Sequence, residues 1–496
     1  QEILNWETSS SNGKIIESHF DGLGHRVQNI FIKNFSGQLK ITSKGILKTK
    51  DLSGVVKGLK EKVNPLCFLR ETHLTKPCKR IEKISSAITE KADKEIDVNG
   101  KNVAPGVIDD QVHFREPGLT KKGEIKTESL AALYGGITST MDMPNVSPAS
   151  TTLDLLEERF QLAKEKSWTN YSFYLGATPD NIDEIKKANP KDICGLKIFM
   201  GSSTGDLLVN DDNALDLIFK ESPILIVTHC EDNKTIENNL EKISAQRKGK
   251  LSPPDHALIR DELACYISSE KATSLAKKYS ADLHVLHLTT EREIELFEAK
   301  PTKDKKITTE ACIHHLIFTS DDYEEWGNFI KCNPSIKAPN NREALRQALK
   351  NNQIDIIATD HAPHTRDEKS LPYSEAPAGI PLIQHSFQLM LELANKGVFT
   401  IEEVIKFASH NTADRFKIVD RGYVREGYFA DLVVFETGIK HTVTNEEQKS
   451  KCGWTPFEGW ELSSKVNSTI VNGNVLLEDG ELHPERRSSE RLVFNK

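Results

Sequence analysis

The sequence predicts an α/β protein whose main domain is a (β/α)8 barrel of the TIM type, flanked by a β-sandwich built from both ends of the chain. From Pro105 onward, short apolar runs alternate with longer amphipathic segments, which is typical of β/α units. The apolar runs number eight, a count that favours a closed parallel barrel. Turn-rich segments with β character stand before and after this array.

The apolar runs define the predicted barrel strands, and helical patterns separate them. The pattern "TESLAALYGG" ends in Gly135-Gly136, a typical helix stop, and "NREALRQALK" is a second helical pattern. The predicted strands are residues 106–113, 138–143, 172–177, 195–200, 224–229, 283–288, 307–313 and 354–359.

The two ends of the chain contain short β segments with turns. Before the barrel these run from "VVKGLKEKV" through "RIEKISSAI" to "KEIDVNGKNVAPG", and after it they are "GYFADLVVFE" and "STIVNGNVLLEDGEL". Strands on both sides of a barrel can pair into one small domain. We therefore predict residues 1–104 and 420–496 as the two parts of the β-sandwich and 105–419 as the barrel. Residues 1–79 carry the weakest pattern.

Composition excludes several classes of protein. Apolar residues make up 37% and charged residues 28%, and no run approaches the roughly 18 apolar residues of a membrane span. The net charge of −8 is spread along the chain without a basic cluster, which argues against nucleic acid as the partner. The eight cysteines show no CxxC pairing and are typical of reduced, buried thiols. We expect a cytoplasmic protein that acts on a small molecule.

Polar residues at the strand ends indicate where chemistry takes place. In a β/α barrel the active site forms at the carboxyl ends of the strands. On the first strand Gln111, His113 and Arg115 share one face, because alternate residues point the same way. Imidazole and carboxylate groups converging on one mouth predict a metal site. The later strand ends contribute Asp142 and Asn145, then Lys197, His229 and His287, and finally Asp360, His361 and His364.

Several residues near the predicted site are expected to have a structural role and not to bind metal or substrate. His284 and the pair His314-His315 are expected to pack or to support the site, and Cys230 and Cys312 are expected to be inert core thiols. Lys197 has three interpretations, because a lysine within an apolar strand is costly unless it is paired or neutralised. It extends to solvent from the barrel rim, it is a cation that binds substrate, or it is an amine that has captured carbon dioxide as a carbamate bridging two metal ions.

Six motifs together resemble the dihydroorotase branch of the metal-dependent amidohydrolases. They are "APGVIDDQVHFREPG", "DMPN", "GLKIFMGSSTG", "THCED", "LHLTT" and "ATDHAPH", and the resemblance covers roughly residues 80 to 480. It implies a β/α barrel with a flanking β-sandwich, zinc as cofactor, and reversible cyclisation of N-carbamoyl-L-aspartate to L-dihydroorotate in pyrimidine synthesis. The resemblance allows two macromolecular partners, a second copy of the chain and aspartate transcarbamoylase.

The resemblance also implies roles for individual residues. His113 and Asp360 would bind the first metal, His229 and His287 the second, and carboxylated Lys197 would bridge them. Asp360 would also be the general base and acid. The substrate-binding residues implied are Arg115, Asn145, Asn333, His364, Ala378 and Gly379.

Gln111 departs from the family pattern, which has histidine at this position. An amide oxygen is a weaker zinc ligand than imidazole. Three outcomes follow: Gln111 binds the first metal weakly, it only hydrogen-bonds within a site holding one metal, or the site has lost its activity. Because the other predicted ligands are all present, we favour a working enzyme with one or two zinc ions per chain.

Two other functions stay open. A dihydropyrimidinase, hydantoinase or allantoinase would share the metal site, but a neutral ring would not need the arginine fork of Arg115. A structural salt bridge from Arg115 to Glu116 or Asp109 is the alternative to substrate binding. The third candidate is a catalytically silent dihydroorotase-like subunit, which Gln111 supports.

Overall fold

The computed structural model describes residues 2–10, 14–20, 26–31, 41–48, 79–85, 88, 95–201 and 207–495. The segment "VVKGLKEKV", Cys67, Cys78 and residues 202–205 of the "GLKIFMGSSTG" motif lie outside this description. Residues 1–52 form one compact unit and residues 53–496 another. In the first unit β1 (Glu2–Ser10) pairs with β4 (Ile41–Lys48), and β2 (Lys14–Phe20) pairs with β3 (Arg26–Phe31), both antiparallel.

Eight parallel strands form the barrel in sequence order, which confirms the predicted fold class. All eight predicted strands are found within three residues of their expected bounds. A parallel bridge between Val112 and His361 joins the first strand to the segment after the last, and the N–H of His113 donates to the carbonyl of His361 at 2.8 Å. The strands are β6 (Val107–Val112), β7 (Ile137–Asp142), β8 (Asn170–Gly176), β9 (Gly195–Phe199), β10 (Ile226–His229), β11 (Leu283–Val285), β12 (Ile307–Cys312) and β13 (Ile356–Ala358).

Helices connect these strands, and side-chain caps fix where several of them begin. Thr152, Asp211 and Asp261 each accept a hydrogen bond from a backbone N–H of the first turn that follows. The helices are α1 (Ile125–Tyr134), α2 (Leu153–Lys166), α3 (Ile182–Lys187), α4 (Asp212–Glu221), α5 (Asn233–Gln246), α6 (Asp255–Ile259), α7 (Glu262–Tyr279), α8 (Ile313–Ile317), α9 (Tyr323–Trp326), α10 (Pro339–Lys350), α11 (Arg366–Lys369), α12 (Ser386–Asn395), α13 (Ile401–Ile405) and α14 (Asn411–Phe416).

The flanking β domain is a five-stranded antiparallel sheet that draws on both sides of the barrel. Strand β5 (Asn102–Pro105) precedes the barrel and pairs with β14 (Leu432–Thr442), which follows it. The sheet continues through β15 (Glu461–Val471), β16 (Asn474–Glu478) and β17 (Glu481–Leu482). The expected pairing of the two ends is therefore found, whereas the exact domain boundaries stay a prediction.

Two apolar layers hold the barrel together. The larger core lies between strands and helices, as expected for strands buried on both faces. A second cluster includes Ile108, Tyr174 and Val227 from the strands together with Leu492 and Phe494 from the end of the chain. The five described cysteines other than Cys452 are buried free thiols, as expected. No helix in the described part of the chain is long and apolar enough to span a membrane.

A buried ion pair ties helix α2 to the rim of the barrel. Arg159, 1% exposed, pairs with Asp142 and donates to the carbonyl of Met143 at 3.0 Å. Asp142 also accepts a hydrogen bond from the N–H of Phe114 at 3.1 Å. The pair thus links the ends of the first two barrel strands. Asp142, singled out from the sequence as a strand-end carboxylate, has this structural role.

We expect Arg159→Met to lower the free energy of unfolding by about 3–5 kcal/mol, because it leaves the Asp142 carboxylate buried without its partner. A reversible urea titration followed by fluorescence measures the change. The matched control is Lys440→Met, which breaks the Lys440–Glu461 pair, whose side chains are 83% and 63% exposed, and should change stability little. Equal midpoints for the two variants would contradict the structural role of Arg159.

Candidate active site

The six predicted metal-binding residues, Gln111 included, meet at the carboxyl ends of the barrel strands. Each of these six is at most 8% exposed, so they form a buried polar cluster inside an apolar frame. Among the predicted substrate residues, Asn145, Asn333 and Ala378 are partly exposed. In chain order the side chains come from β6 (Gln111) and the residue after it (His113), from β9 (Lys197), from β10 (His229), and from just after β11 (His287) and β13 (Asp360).

One half of the site is built around the carboxylate of Asp360. Its Oδ1 lies 3.0 Å from His113 Nε2 and 3.1 Å from Gln111 Nε2. The other ring nitrogen of His113, Nδ1, lies 2.7 Å from Asn145 Oδ1. Burial alone would raise the pKa of Asp360, but the hydrogen bond and charge of His113 outweigh it and the net pKa lies below its usual value. Asp360 is therefore ionised at neutral pH.

Gln111 is oriented as a hydrogen-bond partner within this half. Its amide nitrogen donates to Asp360, and its amide oxygen accepts a long contact from the Cys312 thiol at 3.6 Å. Its backbone carbonyl accepts from Thr359 Oγ1 at 3.3 Å. In this orientation the amide N–H of Gln111 donates a hydrogen bond to Asp360. A histidine that acted as a metal ligand at this position would instead direct a lone pair towards the metal.

The other half of the site contains two imidazoles. His229 Nε2 donates to Glu231 Oε2 at 3.0 Å, and Arg260 Nη2 lies 2.9 Å from the same oxygen. The lone pair of His229 is therefore on Nδ1, which lies 2.9 Å from His287 Nε2. Burial lowers the pKa of both histidines, so both rings are neutral.

Lys197 lies between the two halves. It is 1% exposed, and its Nζ is 4.5 Å from the centroid of the Phe199 ring. Burial lowers the pKa of Lys197 to about 7, although the charge of Asp360 acts in the opposite direction. The charge of Lys197 in turn lowers the pKa of His229 and of His287. An amine with this pKa is partly neutral near pH 7, which is the form that captures carbon dioxide.

The His229 half fits a divalent metal ion. Metal ligands must be neutral imidazoles or anions, and a carboxylate that fixes the tautomer of a ligating histidine is the usual outer support. Glu231 supplies that support to His229, and burial of its carboxylate is compensated by Arg260 and His229, which lower its pKa to about 2. His287 Nδ1 is buried without a hydrogen-bond partner. The residues that would hold a metal here are His229, His287 and Lys197.

Arg115 forms a buried cationic fork at the mouth of the site. Its Nε donates to the carbonyl of Pro363 at 3.1 Å, and one Nη lies 3.1 Å from His364 Nε2. Burial lowers its pKa to about 10, so it stays charged. Glu116 pairs instead with Lys166. Among the described residues Arg115 forms no ion pair with Glu116 or Asp109, so the purely structural salt bridge considered from the sequence is not found.

The remaining predicted substrate residues lie close to this fork or to a neighbouring loop. His364 Nε2 donates to the carbonyl of Ala378 at 3.0 Å. Gly379 has a φ of +139°, and a Cβ there would lie 2.5 Å from the Ala362 carbonyl, so only glycine lets the loop approach so closely. Its N–H already donates to the Lys331 carbonyl. Asn333, in contrast, lies beside His256, at 3.1 Å. The substrate contacts of these residues stay predictions.

The segment between β14 and β15, residues 443–460 and here called the strap, braces the loop after β13. His361 Nδ1 accepts backbone N–H bonds, so its Nε2 donates to Glu128 Oε2, at 2.8 Å. Ser450 of the strap donates to the same carboxylate, and the N–H of Lys451 donates to it at 2.9 Å.

A second brace comes from Trp454, whose Nε1 donates to the carbonyl of His364 at 2.8 Å. Asp360 itself has a φ of +50°, an unusual conformation for a residue with a Cβ. The two braces hold both sides of the short loop that begins with it. Sequence reasoning missed Glu128, Ser450 and Trp454, and it also missed Glu231, although its position two residues after His229 was visible.

Comparisons with known proteins agree with this geometry. The sequence model described as "Amidohydrolase family" matches residues 102–476. A dihydroorotase of Methanosphaera stadtmanae is 30% identical over 82% of this chain and 92% of its own length, and one of Pyrococcus horikoshii is 33% identical over 81% and 87%. Among solved structures, the L-hydantoinase (dihydropyrimidinase) of Arthrobacter aurescens has a TM-score of 0.79 and 26% identity, covering 84% of this chain and 94% of that one.

The family match spans the whole barrel together with most of the flanking sheet, and the site residues at the strand ends lie within it. The chain is a cyclic amide hydrolase that belongs to the amidohydrolase family.

Proposed function

We propose that the protein is a dihydroorotase that interconverts N-carbamoyl-L-aspartate and L-dihydroorotate. The observation that carries this proposal is the buried, charged Arg115 at the mouth of the site, next to the loop that bears Asp360. A substrate with a carboxylate uses such a fork, whereas a neutral ring leaves it without a function. Relatives named dihydroorotase at 30–33% identity support the same reaction.

The cofactor we propose is zinc, held by His229, His287 and Lys197. When bound, it polarises the amide carbonyl and makes water a better nucleophile near neutral pH. Gln111 hydrogen-bonds Asp360 and is not a ligand in this proposal, which follows from the orientation of its amide. The first-metal position of the family pattern is thus replaced by a hydrogen-bonded group of Gln111, His113 and Asp360.

The chain's own residues move the proton. In ring opening, a water oxygen bonds to the ring carbonyl carbon as Asp360 takes a proton from that water. The carbon–nitrogen bond then breaks, and Asp360 returns the proton to the departing nitrogen. In ring closure, which starts from the protonated carboxyl group, Asp360 takes the proton of the attacking carbamoyl nitrogen and passes it to the carboxyl hydroxyl, which leaves as water. Arg115 holds the substrate carboxylate through both directions.

A second candidate is a hydrolase of neutral rings, such as a hydantoinase or dihydropyrimidinase. The likeness to the solved L-hydantoinase favours it, since both share the barrel and the flanking domain. A silent subunit remains the third candidate. A dimer, an association with aspartate transcarbamoylase and a location in the cytoplasm also stay predictions.

An assay of the purified protein with L-dihydroorotate, hydantoin, dihydrouracil and allantoin separates these candidates. We expect turnover of dihydroorotate to exceed that of the neutral rings. We also expect Arg115→Leu to lower kcat/KM for dihydroorotate by about 10- to 100-fold, since a hydrogen bond to a charged group contributes ~1.5–3 kcal/mol.

The matched control for this experiment is Arg366→Leu, which removes the same charge from the exposed face of α11. It should leave kcat/KM unchanged. Faster turnover of a neutral ring, unaffected by Arg115→Leu, would favour the hydantoinase. Absence of all turnover in the zinc-loaded protein would leave the silent subunit.

A further inference from the structure

A second group of potential metal ligands lies at the junction of β12 and α8. The strand ends at Cys312 and the helix begins at the next residue, so the chain turns sharply and brings Cys312, His314 and His315 together. One ligand atom of each lies within 4.8 Å of the other two. All three residues are at most 3% exposed. None of them belongs to the predicted set of metal ligands.

Three of the four imidazole nitrogens of this group lack hydrogen-bond partners. Neither nitrogen of His314 makes a hydrogen bond, and Nδ1 of His315 makes none either. The carbonyl of Thr359 is near enough to raise the pKa of His314, but not in hydrogen-bond geometry. His315 Nε2 donates to the carbonyl of Pro334 at 3.2 Å, so its Nδ1 carries a lone pair. Buried polar atoms normally have partners, and these three nitrogens are available to bind a ligand.

The donors of the group suit a cation. Burial raises the pKa of the Cys312 thiol well above its usual value, so the thiol is protonated without a metal. Burial lowers the pKa of His314 to about 4, so this ring is neutral. A bound cation uses the lone pairs of the neutral rings. It also deprotonates the thiol, because a coordinated sulfur loses its proton.

We propose that Cys312, His314 and His315 hold a second divalent cation, of the soft class to which zinc belongs. Thiolate and imidazole are the ligands that zinc prefers, and tetrahedral bond lengths of about 2.0–2.3 Å place such ligands roughly 3.4–3.6 Å apart. The observed group needs to close by little more than 1 Å to reach that geometry. Binding releases one proton, that of the Cys312 thiol, to solvent. Gln111 Oε1 is a further oxygen near the group, 3.6 Å from Cys312 Sγ.

The proposed ion would lie next to the position where the family pattern has an imidazole and this chain has Gln111. The ion would therefore supply positive charge on the Gln111 side of the active site, where Gln111 itself does not bind a metal. The inference does not rest on the proposed function, because the group is defined by its own contacts. Cys332 is the competing thiol, since its Sγ lies 3.8 Å from His315 Nε2.

Cobalt substitution tests this proposal through sulfur coordination. The metal-free protein is titrated with Co²⁺ while the near-ultraviolet charge-transfer band of a cobalt–thiolate bond is recorded, and bound metal is measured by elemental analysis. We expect the wild-type protein to show the band. We also expect it to bind up to one equivalent of cobalt more than the Cys312→Ser variant binds. The His229/His287 ligands contain no sulfur and are silent in this band.

Four variants assign the signal. Cys312→Ser and His314→Gln should each lose the band and one equivalent of metal. Testing both variants guards against a loss that is caused only by poor folding of one of them. Cys332→Ser should keep the band. His229→Ala should keep the band while losing dihydroorotate turnover, so the two proposals fail separately. No band in the wild-type protein at two equivalents of cobalt, or a band that persists in Cys312→Ser, would overturn the assignment.

Discussion

Replacing Lys197 by alanine is expected to lower turnover by about 10³-fold or more, which corresponds to ~4 kcal/mol of lost transition-state stabilisation. The lysine is buried between the Asp360 half and the His229 half, and burial lowers its pKa to about 7. Without it the proposed zinc would lose one of its three protein ligands. Steady-state kinetics and elemental analysis on the same preparation should show activity and bound zinc falling together.

Two further measurements separate a carbamate from a simple ammonium at position 197. Propionate added to Lys197→Ala should restore part of the activity, because its short chain fits the vacated space and brings two oxygens. Lys197→Arg keeps a positive charge but cannot form the carbamate, so it should be as inactive as the alanine variant. An active arginine variant, with no rescue of alanine by propionate, would show that Lys197 acts as a substrate-binding cation.

The second large effect is expected for Asp360→Asn, which should lower kcat by about 10²- to 10⁴-fold. Asparagine has the same shape and still accepts the hydrogen bond from Gln111, but it cannot take a proton from water. Because zinc is proposed to bind His229, His287 and Lys197, this variant should retain its metal. Kinetics in both directions, with elemental analysis, measure the effect.

The pattern of loss in Asp360→Asn is as informative as its size. Because the equilibrium constant is fixed, any variant changes kcat/KM for ring opening and ring closure by the same factor, so bound metal is the measurement that distinguishes a general base from a metal ligand. If the variant instead lost its zinc, Asp360 would be a metal ligand of this chain, and the interpretation of Gln111 as a hydrogen-bond partner would be wrong. The matched control is Asp180→Asn, an exposed aspartate after β8, which should alter neither rate nor metal content.

The barrel could be predicted because its strands are continuous apolar runs bounded by polar residues. Strand β10 shows this well, because its apolar run ends at His229, so the position of this histidine followed from the strand alone. Strand β9 likewise carries Lys197 close to its end. The same logic found His113 and Asp360. Periodicity was sufficient because burial on both faces leaves little freedom in the composition of such strands.

Contacts between distant parts of the chain could not be predicted in this way. Glu128 reads as one polar residue in an amphipathic helix, yet its partners His361 and Ser450 are 233 and 322 residues away. Nothing in local periodicity marks such a contact. Cys312 was assigned from the sequence to the inert core because its neighbours are apolar. Its closeness to the imidazole of His315 depends on the sharp turn into α8, which the sequence pattern did not show.

The strap has a consequence for the order in which the enzyme matures during synthesis. A nascent chain that has emerged only as far as residue 420 already contains every predicted metal ligand and the whole barrel. It still lacks Ser450 and Trp454, which hold the loop that starts at Asp360. The loop that starts at Asp360 therefore reaches its final hydrogen-bonded arrangement late, only after residue 454 has left the ribosome. A partly made protein that ends at residue 420 would hold the predicted ligands without this braced loop.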